Sequence, residues 1–147
     1  MSYFSEEAMI TMGSGALKNI NLVIPGDYVI NRLNKIVRVK TISNSSFTSA
    51  NSVQLDNSTP LFYTLPTTQF LKHQILLDNS HTSDYDSILN IHTEDSKLKK
   101  NIKMFSYDSD VAITTYGNLA VTKTLYTFST VDDVQSCFVN GVITKIV

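Results

Sequence analysis

The chain reads as an all-β fold built from many short strands, and three observations point that way. Runs rich in Val, Ile, Thr, Tyr and Phe recur along its length, the residue types that suit a pleated, half-buried surface. One of them, Ile36 to Thr41, alternates apolar and polar residues at a period of two, so its side chains fall on opposite faces of a strand. Turn pairs and triplets punctuate the runs: Pro25-Gly26-Asp27, Gly117-Asn118 and Asn140-Gly141.

Taken in order, Tyr28-Val29-Ile30 and Ile36 to Ile42 are two β-branched runs joined across Asn31 to Lys35. In the second, Ile36, Arg38 and Lys40 face one way and Val37, Val39 and Thr41 the other. The polar stretch Ser43 to Thr59, with Phe47, Val53 and Leu55 as lone apolar anchors, reads as a hairpin or surface loop. Leu61 to Thr64 resumes a strand, which Pro66 ends because proline has no ladder donor. Gln69 to Leu77 suits a short helix or a further strand. Asp78 to Asp86 has turn chemistry, its Asn and Asp side chains able to satisfy nearby backbone groups. Ser87 to His92 alternates weakly, and Glu94 to Lys103 has modest helical character. Val111 to Tyr116 and Leu119 to Thr122 flank Gly117-Asn118, a pair suited to a tight hairpin turn. Leu125 to Val131 and Cys137 to Val147 supply the closing strands. No linker, fixed repeat or low-complexity tract divides the chain, so residues 1–147 read as one domain.

Composition bounds the function. A chain of 147 residues, 42% of them hydrophobic, can bury a core without staples. Its 17% charged content lies below the roughly 25% of ordinary soluble domains, and Ser, Thr and Asn fill the difference. A net charge of -1 argues against nucleic acid as a partner, which demands a basic stripe for phosphates. The one basic cluster, Lys97, Lys99, Lys100 and Lys103, stands beside Glu94 and Asp95 and reads as a solvated face. A single cysteine, Cys137, excludes an internal disulfide and a cysteine-based zinc site. It has no flanking base to activate it and reads as a buried structural thiol. No apolar run approaches the roughly 20 residues of a membrane span. Glu6 and Glu7 stand where an export leader would be basic, so a soluble, non-secreted chain is expected.

Other chemistry finds little footing. His81, Asp84 and Asp86 offer oxygen and imidazole ligands. Their spacing lacks the glycine and terminal glutamate of a calcium loop, so they read as solvated loop residues. No metal or cofactor is expected. His73 and His92 are scattered, and no nucleophile-elbow signature focuses a Ser-His-Asp triad. Gly13-Ser14-Gly15 lacks the third glycine and the strand-to-helix setting of a dinucleotide turn.

Three ordered blocks carry a resemblance. Met9 to Met12, the turn Gly13-Ser14-Gly15, and then Ile20, Val23, Gly26, Asp27 and Val29 form the first; Phe62 to Thr67 the second; Leu125 to Ile143, with Phe138 and Asn140-Gly141, the third. This order resembles the Hint domain, the self-processing module of inteins and hedgehog proteins. The resemblance implies a compact β fold with pseudo-two-fold character. It places the family's nucleophile near Tyr3 to Ser5, where Ser5, or less plausibly Ser2, could serve. Only Met1 to Phe4 precede Ser5, leaving little upstream to cleave. The family's Thr-x-x-His aligns with Thr64 and Thr67, and a threonine hydroxyl cannot shuttle a proton near neutrality as imidazole does. Thr144-Lys145-Ile146-Val147 stand where the terminal His-Asn pair belongs, so asparagine cyclisation is excluded by residue type. Ser5, Thr64, Thr67 and Lys145 are thus degenerate positions of the family's site.

The expectation that follows is a non-enzymatic structural or interaction module on an inactivated Hint-like scaffold. Its low charge and polar surface resemble small structural subunits of bacteriophage particles, in the neck, tail or baseplate, with a virion as its location. Partners would be other protein subunits, and copies of itself, but neither nucleic acid nor membrane. Two alternatives stand beside it: residual self-processing by an acyl shift at Ser5, and a small β-barrel that binds a ligand.

Overall fold

The computed structural model describes residues 1–75, 81–100, 111–117 and 119–146. Two open sheets share the strands. Strands β1 (Met9–Thr11) and β2 (Leu17–Asn19) form a hairpin, followed by a single 3-10 turn at Ile20–Leu22. Strand β3 (Tyr28–Ile30) turns into β4 (Ile36–Leu55), with Ile30 opposite Ile36. Then come β5 (Phe62–Thr64), β6 (Gln69–Ile75), β7 (His81–Ser87), helix α1 (Ile88–Thr93) and β8 (Lys97–Leu98). The chain closes with β9 (Ile113–Tyr116), β10 (Val121–Thr130), β11 (Ser136–Val139) and β12 (Val142–Lys145). The first sheet has the order β2-β1-β11-β12-β6-β7, with β8 also on β6; in the second, β10, β3, β5 and β9 all pair with β4.

Both sheets feed one core. Phe4, Phe62 and Phe70 meet there with ring centroids 6.1–6.4 Å apart, joined by Ile10, Val29, Val39, Val53 and Cys137. Full burial of each such aromatic or aliphatic side chain contributes about 1.5–3 kcal/mol. The alternation read from Ile36 to Lys40 holds, with Val39 inside and Ile36, Arg38 and Lys40 exposed. The β11–β12 hairpin turns at Asn140 and Gly141, both at positive φ (50° and 81°), the backbone that an Asn-Gly pair adopts with least strain.

Several expectations are corrected. Ser43 to Leu55 is no loop but the far half of the 20-residue β4. Its ladder is filled by β10, β9 and β5, while its side chains from Lys40 to Ser46 lie exposed; with neither face buried there, no alternation is written in the sequence. The hairpin expected at Gly117-Asn118 does not form. β9 and β10 instead run in line along β4, Leu55 opposite Ile113 through to Val39 opposite Thr130. Gly117 is needed for close approach: a Cβ there would stand 2.3 Å from Ser52 Oγ.

His81 to Asp86, read as turn, is edge strand paired with β6 from Ser87–Gln69 to Ile75–His81. Residues 76–80 and 101–110, including Lys103, lie outside the described residues, as do Asn118 and Val147. The helical residues are Ile88 to Thr93, not Glu94 onward. Ser87 caps them by accepting from the Asn90 N–H at 3.2 Å, and Ile88 and Ile91 bury their shared face. Within the basic cluster Lys97 and Lys100 are exposed, but Lys99 is buried. Its N–H donates to Leu71 O and its carbonyl accepts from Ile143 N, which sinks the residue into the first sheet.

Candidate functional site

The N-terminal segment threads between the segments that resemble the second and third Hint blocks. Ser2 N–H donates to Ile146 O at 2.9 Å, so the first and last described segments run side by side. Phe4 exchanges both backbone hydrogen bonds with Tyr126 of β10, at 2.9 and 2.7 Å. Ser5 N–H donates to Tyr63 O at 2.9 Å, and Tyr63 N–H donates to Ser5 Oγ at 2.8 Å. Tyr3, Phe4 and Ser5 are thereby held as an extended segment between β5 and β10.

Thr64, at the end of β5, is fully buried, and its Oγ1 lies 2.7 Å from the Tyr3 carbonyl and 2.8 Å from Thr68 Oγ1. A hydroxyl has one proton, and the carbonyl can only accept. Thr64 therefore donates to Tyr3 O, and Thr68 donates to Thr64. The relay polarises the Tyr3–Phe4 peptide bond. Thr68 is buried beside it, whereas Thr67 is exposed.

Thr67 joins Met1, Ser2, Gln69 and Lys145 around an open cleft of about 240 Å³. Thr144 is turned away from that cleft into the protein, where its Oγ1 donates to Gln69 O at 2.8 Å. The imidazoles belong to other elements: His73 to β6, His81 to β7, and His92 to α1, stacked on Tyr116 at 4.8 Å between centroids.

These contacts hold the two terminal segments together in one cradle, and solved structures share its whole frame. The DnaB intein from Synechocystis sp. PCC 6803 superposes with a TM-score of 0.69 at 12% identity, over 100% of this chain and 99% of that one. The gp41-1 intein gives 0.67 at 13%, over 99% and 98%. A bacterial intein-like domain from Clostridium thermocellum gives 0.70 at 15%, over 100% and 99%. The chain has an intein-like, Hint-type all-β fold. No protein-family model and no curated protein matches the sequence.

The Thr64 hydroxyl thus contacts one backbone bond, Tyr3–Phe4. The residue following that bond is Phe4, buried against Phe62 and Phe70. The resemblance in sequence places the nucleophile in the range Tyr3 to Ser5 and points to Ser5, or less plausibly Ser2, as the side chain able to serve. Nothing in Thr64-Leu65-Pro66-Thr67-Thr68 shows which threonine the Pro66 turn brings inward, so Thr68 carries no signal in the sequence.

Asn140, a turn residue by its sequence, does more than turn. Its Oδ1 accepts from Met9 N–H at 2.8 Å, its Nδ2 donates to Pro60 O at 2.8 Å, and its carbonyl accepts from Asn57 Nδ2 at 2.7 Å. It pins β1, β11 and the segment before β5 together. Cys137 is buried and its thiol pKa is pushed well up by that burial, which leaves it without thiolate reactivity.

Asp86, one of the three metal candidates, is held by Lys72 at 2.9 Å and by Asn90 Nδ2. Asp84 is exposed on the edge strand. Among the described residues no group of three or more His, Cys, Asp or Glu is placed to hold a metal, and no helix is long and apolar enough to cross a membrane.

Proposed function

We propose that this chain is a Hint scaffold that leaves its own backbone intact and works as an interaction module in a protein assembly. The observation that carries the reading is the Thr64–Tyr3 hydrogen bond. It singles out the Tyr3–Phe4 bond, and an acyl shift there requires a nucleophile on the side chain of residue 4. Phenylalanine has none.

Ser5 is a poor substitute. It would have to attack the Phe4 carbonyl, which is tied to Tyr126 N–H, with an Oγ that already accepts from Tyr63 N–H. It is buried and lacks a neighbouring base among the groups that hold it. At the other end, Lys145 and Ile146 carry no side-chain amide to cyclise.

Exposed apolar side chains support the interaction role. Leu17, Leu22, Ile24, Tyr28, Leu33 and Ile36 are all about half exposed or more, clustered in sequence around β2, β3 and the start of β4. Tyr28 and Ile36 meet over Gly13. Apolar side chains left exposed are available to a contact surface, and a stable contact buries on the order of 1,000 Å² or more. A structural place in a bacteriophage particle is the finer form of this reading, supported by the low charge and the Ser/Thr/Asn-rich β4.

The test is to fuse a folded protein ahead of Met1 and follow the intact mass of the purified fusion for several days around neutral pH. An unbroken fusion is expected. Release of the upstream partner, at either Tyr3–Phe4 or Phe4–Ser5, would overturn the reading.

A further inference from the structure

On the outer face of the first sheet, away from the main core, Tyr85 of β7 stands opposite Leu71 of β6 and packs with Ile30, Phe138 and Ile143. Two cations converge on its ring from unrelated parts of the chain. Arg32, in the β3–β4 turn, places its Cζ 5.8 Å from the ring centroid; Lys145 of β12 places its Nζ 6.0 Å from it. The Arg32 backbone is fixed by its N–H donating to Ser136 Oγ at 2.9 Å, and Ser136 is the β11 partner of Lys145. One ring can hold one cation over its face with gain, but two like charges on the same ring repel. Among the described residues neither has a carboxylate partner. Of the acids nearby, Asp86 is engaged by Lys72 and Asp132 by Asn31 and Thr130, while Asp84 is exposed on the edge strand.

The same place holds two buried donors without an acceptor: Arg32 Nε and the Tyr85 hydroxyl. Burial raises the phenol pKa against the opposing pull of Arg32, so the hydroxyl keeps its proton and remains a donor. A guanidinium has no acceptor capacity. What both groups lack is an oxygen, and what the two cations lack is negative charge.

We propose that Arg32, Tyr85 and Lys145 form a binding site for a small oxyanion, a phosphate or carboxylate group. Arg32 Nε and the Tyr85 hydroxyl donate to its oxygens, and Lys145 supplies the second charge. Charge-assisted hydrogen bonds of this kind are the strong ones, and the Arg fork matches either anion. The site does not depend on whether the chain processes itself.

The experiment titrates the full chain with inorganic phosphate, with acetate, and with chloride at matched ionic strength. It follows the Arg32 Nε–H and Tyr85 ring signals by NMR, and the melting temperature alongside. Saturable shifts and stabilisation with phosphate, with acetate or with both, but not with chloride, are expected; which of the two binds tells a phosphoryl ligand from a carboxylate. R32Q and Y85F should each weaken binding about tenfold. Y85F keeps the ring that packs with Leu71, Phe138 and Ile143, so without ligand it should melt close to the wild-type temperature, which separates lost binding from lost folding. Shifts that stay linear and equal for all three salts would overturn the proposal, as would affinity unchanged in both variants.

Discussion

Asn140→Ala is the substitution that best tests how the two terminal segments are held. It removes the acceptor of Met9 N–H and the donor to Pro60 O, both at 2.8 Å around a buried residue. Each orphaned buried partner costs about 1–3 kcal/mol. Alanine must also take up φ 50°, which costs a non-glycine, non-asparagine residue about 1–2 kcal/mol. The sum is about 3–8 kcal/mol, or roughly 10 °C or more in melting temperature for a domain of this size. Urea unfolding followed by tyrosine fluorescence gives the free energy directly.

Two further variants divide that sum. Asn140→Gly relieves the backbone strain and should recover about 1 kcal/mol of the loss. Asn140→Asp keeps an acceptor for Met9 but sets a carboxylate against the Pro60 carbonyl. Its folded pKa would be raised, so its stability should be highest below the ordinary carboxylate range and fall as pH rises through it. An Asn140→Ala protein within about 1 kcal/mol of wild type, less than one orphaned partner costs, would refute the argument, because it would mean that water reaches these groups.

Two predictions concern titratable groups. The Cys137 thiol, its pKa raised by burial, should react with a disulfide reagent only as fast as the protein opens; stability should be level below the ordinary thiol pKa and decline above it, and rapid labelling of the native protein would contradict this. Asp27 is held below the usual carboxylate range by Lys18, 2.9 Å away, and by the Ile24 N–H. Its contribution, at most about 1 kcal/mol for so exposed a pair, should be present above the ordinary Asp pKa and vanish as pH falls through the folded value. Wild-type and D27N stabilities should therefore converge in acid, and parallel curves would remove the ion pair from the account.

The amino-acid order alone settled the strand-rich class, the β3–β4 turn with Val39 on the face opposite Arg38 and Lys40, and the Asn-Gly hairpin, because each is written in neighbouring residues: β-branching, alternation, and a backbone that accepts positive φ. The long β4 was hidden because a strand with polar faces has the composition of a loop, and only β10, β9 and β5 around it show that its ladder is filled. The Gly117-Asn118 signal misled for the same reason, since a third strand took both of its flanks. The place of Phe4 beside Thr64 and the meeting of Arg32, Tyr85 and Lys145 join residues 53 to 113 positions apart, and the inward turn of Thr68 serves the first of them. No local pattern encodes such meetings; they follow from the packing of the two sheets, which decides what each side chain faces.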